Sequence, residues 1–199
     1  MSVNEMNLPV HQENFAVGNR VLGLLGMIGA PMLLIFFMFG NTDAGAAKTL
    51  KDQIMCLTGV FYMGFWMMSA VGMRRLRATG DGFGSKIVFI IQITLLGFAL
   101  LFSVMEVFGY SYNNGGLLFA IADAAYPLSH LFMLVVGTLV LRAKVWNGLA
   151  KFAPFIVGFA LPIFFALLPI AGMQIAGFAC GALMAAGLMT IGYTVYRQS

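Results

Sequence analysis

The sequence predicts an all-α polytopic integral membrane protein, with six transmembrane helices and both termini in the cytoplasm. Three observations predict it. The 199 residues are 61% hydrophobic and only 9% charged, whereas a soluble domain carries roughly a quarter charged residues. Mean hydropathy is +0.93, and apolar runs long enough to cross a bilayer, about 17–25 residues each, recur between short polar loops. The basic residues also alternate in sidedness. Arg20, Arg74, Arg75, Arg77, Lys86, Arg142, Lys144, Lys151 and Arg197 fall on one side of a six-span arrangement, and Lys48 and Lys51 on the other. The positive-inside rule makes the first side cytoplasmic and the location the plasma membrane, which is the inner membrane in a bacterium. The net charge of +4 is dispersed over these loops rather than gathered on one soluble face, so no nucleic-acid partner is expected.

Residues 1–19 read as a polar cytoplasmic lead, with Glu5, Pro9, His11 and Glu13 in place of the basic and apolar regions of a signal peptide. Residues 20–199 read as a single transmembrane domain. Span 1, about residues 21–40, is thinned by Gly23, Gly26 and Gly29 for close helix packing and interrupted by Pro31. A polar loop at 41–53 holds Asp43, Lys48, Lys51 and Asp52. Span 2, about residues 54–73, places Thr58 and Tyr62 on one face. Its Met63, Met67 and Met68, beside Phe61, Phe65 and Trp66, read as a soft packing surface in lipid or between helices.

Span 3, about residues 87–109, aligns Gln92, Ala99, Ser103 and Glu106 within about 60° of arc. Glu106 lies near the span's end, where a carboxylate reaches water. The loop YSYNNGG that follows is uncharged and turn-rich. Span 4, about residues 116–141, is the informative one. It carries Asp123, Tyr126, Pro127, Ser129 and His130, and the acid, phenol and imidazole share a face within about 60°. Spans 3 and 4 form an antiparallel hairpin, so Glu106 and Asp123 enter from the same side, and two carboxylates that met would share a proton. His130 lies deeper. Such a face is either a descending relay or hydrogen-bonding glue between helices.

Arg142, Lys144 and Trp146 close span 4 as an interfacial anchor. In span 5, about residues 152–170, Pro154 suits the first turn, Pro162 is expected to kink the middle and Pro169 to end the helix. Span 6, about residues 173–195, carries a small-residue face at Gly177, Gly181 and Ala185, then Tyr193, Tyr196 and Arg197 at its exit.

Several chemistries lack their residues. His11 and His130 are the only histidines, so bis-histidine haem and multi-histidine metal sites are short of ligands. No lysine lies within a span for a retinal Schiff base. Cys56 and Cys180 form no CxxC. HExxH, GxSxG and P-loop patterns are absent. A triad built from Ser103 or Ser129 with His130 and Asp123 fails on spacing, because the last two are about 10 Å apart along one helix. No catalytic or metal-ligand set is therefore assigned, an enzyme is disfavoured, and the cofactor is left open.

The expected site is an embedded polar cluster of Glu106, Asp123, Tyr126 and His130, supported by Gln92, Ser103, Ser129, Thr58 and Tyr62. It would bind or move a small solute, lipid or proton. The alternative is an accessory or scaffold subunit of a larger membrane complex, and the third reading is an intramembrane enzyme acting on lipid. Expected partners are membrane lipid and either other membrane subunits or further copies of the chain.

Overall fold

The apolar runs fold as helices throughout. The computed structural model describes residues 10–39 and 49–198, with side chains from Val17 onward. Its helices are α1 (Val10–Gly29), α2 (Met32–Phe39), α3 (Leu50–Arg75), α4 (Phe83–Val107), α5 (Gly116–Ala143) and α6 (Ala153–Arg197), with a 3₁₀ turn at Ala150–Phe152. Five helical stretches are long and apolar enough to cross a membrane, Val17–Phe39 counting as one. Asp43, Lys48, residues 1–9 and the His11 and Glu13 side chains lie outside the described residues.

Local chemistry explains where the boundaries differ from the expected ones. Helix α1 starts at Val10, inside the polar lead. Pro31 divides the first span, because its ring has no N–H and clashes with the preceding turn, and the helix resumes at Met32. Helix α3 starts earlier than its apolar run because Thr49 caps it. The Thr49 hydroxyl accepts from the Asp52 amide at 3.3 Å, and the Asp52 carboxylate accepts from the Thr49 amide at 2.8 Å. This reciprocal pair satisfies two otherwise orphaned helix-start donors.

Pro169 does not end a helix, contrary to expectation. The helix passes both Pro162 and Pro169, and its one non-helical residue is Gly172, at φ 77° and ψ 171°. Only glycine adopts that backbone without a Cβ penalty, so the break falls there. A straight helix of 45 residues would reach about 68 Å, roughly twice the apolar thickness of a bilayer. Instead, a methyl group at Gly187 would lie 2.6 Å from Val157 Cγ2 and 3.2 Å from the Ala153 carbonyl oxygen. The chain therefore doubles back at Gly172, and limbs 153–171 and 173–197 run antiparallel.

Glycines set most of the helix contacts. Gly26 and Gly29 of α1 meet Ser69 and Phe65 of α3, while Gly23 meets Gly192 and Tyr196 of the second limb. Gly177 and Gly181 receive Phe37 and Leu34 of α2. Helix α3 packs on α4, α4 on α5, and α5 on α6, where Gly137 meets Phe155 and Gly158 meets Leu134. The helices thus close into a ring. Helix α3 also reaches across to the second limb through Gly72 and Val195. The interior holds Tyr62, Met63, Trp66, Met133, Met184 and Leu188. The Met63 and Trp66 surface is therefore interior, while Phe61 of the same run is half exposed. This packing puts the described basic residues other than Lys51 at one end, and the 108–115 turn at the other.

Candidate functional site

The site is built around Pro127 of α5. Proline has no N–H for the Asp123 carbonyl one turn back, and side-chain donors gather at the adjoining turn. The Ser129 hydroxyl donates to the Tyr126 carbonyl at 2.7 Å, and His130 Nδ1 donates to the same oxygen at 2.7 Å. A carbonyl only accepts, so Nδ1 carries a proton. A neutral ring then leaves Nε2 to accept from the Tyr62 hydroxyl of α3, 3.2 Å away. Both imidazole nitrogens are engaged, and His130 ties α5 to α3 at 1% exposure. Gln92 of α4, wholly buried, donates through Nε2 to the Ser129 carbonyl at 3.3 Å. Its Oε1 has no partner among the described residues.

Aromatic rings extend this centre toward the 108–115 end. Trp66 packs edge-on to His130 at 4.8 Å between ring centres, and Tyr126 lies 4.8 Å from the same imidazole. Tyr126 continues to Phe102 at 6.3 Å, Phe102 to Phe119 at 5.1 Å, and Phe119 to Tyr112 at 5.3 Å. At the top, the Tyr112 hydroxyl donates to the Asp123 carboxylate. That bond holds the Tyr112 phenol above its ordinary value of 10.0, with partial burial and the charges of Asp123 and Glu106 adding to the effect.

The expected residues therefore divide. His130, Tyr126, Tyr62, Ser129 and Gln92 converge in the core. Asp123 and Glu106 stand at the mouth above them, both half-buried. Ser103 and Thr58 turn back onto their own helices, donating to the Ala99 carbonyl at 3.2 Å and the Met55 carbonyl at 2.6 Å. Sequence reasoning missed Tyr112, which sits in a loop read as a simple turn, and it missed the contact of Trp66 with His130. The spacing Tyr62, Trp66, Ser69 on one face of α3 was the available signal for Trp66.

Chemically, the arrangement offers carboxylate acceptors at a partly open mouth, phenols beneath, and a saturated imidazole at the floor. Ser129 and His130 adjoin, but the serine proton goes to a carbonyl and Nε2 to Tyr62, which is not the geometry of an activated nucleophile. Among the described residues, no three His, Cys, Asp or Glu side chains gather in a way that would hold a metal ion. No protein-family model, curated protein or solved structure matches this chain.

Proposed function

We propose that the chain is a six-span plasma-membrane protein with cytoplasmic termini, and that its polar column binds or moves a proton or small cationic solute. The observation that carries this reading is the run from Tyr112 and Asp123 at the mouth, through Tyr126, to the buried His130–Tyr62 pair. The reversal at Gly172 supports the sixth span. The basic end supports the orientation, which opens the mouth away from the cytoplasm. A carboxylate in the outer half of a membrane is costly without a ligand or partner. Here an incoming cation or proton competes with the Tyr112 hydroxyl for Asp123, while Glu106 adds attraction.

The test is flux and binding in liposomes containing the purified protein, with a pH gradient or a small organic cation. Asp123→Asn is expected to abolish the signal while the protein keeps its fold. An unchanged signal, or none in the parent protein, rejects the reading. One observation favours a second reading: with both His130 nitrogens saturated, the column also works as glue inside an accessory subunit of a larger complex. A protein partner held at fixed stoichiometry after mild extraction, together with absent flux, selects that alternative.

A further inference from the structure

The charged end carries a second feature, independent of the polar column. The α3–α4 turn docks on the C-terminal end of α5, where the α5–α6 connection begins. A methyl group at Gly80 would lie 3.7 Å from Cβ of Ala143, the last residue of α5, and Ala78 and Trp146 in the two loops are both buried, at 0% and 1% exposure. The turn is stiffened internally, because Thr79 and Ser85 share a hydroxyl hydrogen bond and Ser85 Oγ donates to the Gly80 carbonyl at 2.9 Å. The two adjoining segments carry Arg74, Arg77, Lys86, Arg142, Lys144 and Lys151 at the same end of the bundle. Among the residues whose side chains are described, Asp81 is the one acid at this end, and it is paired with Arg77 at 2.9 Å.

Large apolar side chains stand beside these cations. Leu149 is 81% exposed and Phe83 79%, and Lys151 Nζ lies 5.0 Å over the Phe152 ring. Beneath them, the Trp146 Nε1–H has no acceptor among the described residues. Membrane orientation requires only positive charge along the loops. It does not require two adjoining segments that carry their cations beside exposed apolar side chains. That combination matches the boundary of an anionic leaflet, with charge at headgroup level and apolar groups just below.

We propose that these adjoining segments bind the headgroups of anionic phospholipids. Arg77 and Lys144 meet the phosphates, and Leu149 and Phe83 enter the upper acyl region.

The experiment uses the full chain in vesicles of phosphatidylcholine mixed with phosphatidylglycerol. Retained lipid is read by native mass spectrometry after gentle extraction. Phosphatidylglycerol is expected to be retained several-fold over its share of the vesicle. Arg77→Gln with Lys144→Gln should bring retention down to that share, whereas Arg20→Gln with Arg197→Gln, at the same end on α1 and the second limb of α6, should leave the enrichment intact. No enrichment in the parent protein overturns the proposal, and this comparison stands even if the double variant does not fold. Equal loss in both variant pairs also overturns it, because the charge would then act diffusely. Displacement of the lipid by inorganic phosphate would make this a soluble-phosphate site and likewise overturn it.

Discussion

The Tyr62–His130 bond saturates an imidazole that is 1% exposed in the core of the bundle. Tyr62→Phe removes the donor and leaves Nε2 buried without one. Interhelical hydrogen bonds in membranes contribute about 1 kcal/mol, so the substitution is expected to cost about that much in a detergent unfolding titration. His130→Leu removes the acceptor, and the double variant is expected to lose less than the two single losses combined. Strict additivity would show that the phenol and the ring are not coupled. The sequence placed Tyr62 and His130 among the polar residues of interest, since ionisable groups inside spans stand out against apolar neighbours. It did not pair them, because they are separated by 68 positions and their side chains meet only across the interior of the folded bundle.

Glycines decide how closely the helices approach, and they do not all act alike. A methyl group at Gly23 would lie 2.5 Å from the Tyr196 backbone nitrogen and 2.6 Å from the Gly192 carbonyl oxygen. Those are main-chain atoms that cannot rotate aside. Gly23→Ala is therefore expected to destabilise by about 1–3 kcal/mol, the usual cost of overpacking. Gly64 of α3 has nothing within 4 Å of the same position, so Gly64→Ala is expected to stabilise by about 0.5–1 kcal/mol through reduced backbone freedom in the unfolded chain. Thermal midpoints of opposite sign would confirm the distinction; equal signs would refute it. The Gly-rich first half of span 1 was legible as a packing face. Which glycine meets backbone and which meets open space was not, because that depends on the register between helices.

Across the whole molecule, charge is strongly polarised between the two ends. Nine described basic residues lie at the end where α1 begins and α6 finishes; Lys51, Asp52, Glu106 and Asp123 lie toward the other. If that polarity sets orientation, a cysteine at Asn113 is labelled by a membrane-impermeant maleimide in intact cells, and one at Asn147 only after permeabilisation. Cys56 and Cys180 are buried, so the background is expected to be low. The reverse pattern would invert the bundle and turn the mouth at Asp123 toward the cytoplasm.

Helical class, membrane-spanning length and the asymmetric placement of charge all follow from composition and local order, because each depends on residues close together along the chain. So does the break at Pro31, whereas the Thr49–Asp52 cap, although equally local, carries α3 into residues that read as a polar loop. The reversal at Gly172 rather than Pro169, the bond from Tyr112 to Asp123, the aromatic run down to His130 and the docking of the α3–α4 turn on the end of α5 required the folded bundle. These features join groups from different helices or turns, and the apolar periodicity that specifies a helix carries little information about which neighbour it meets or at what register.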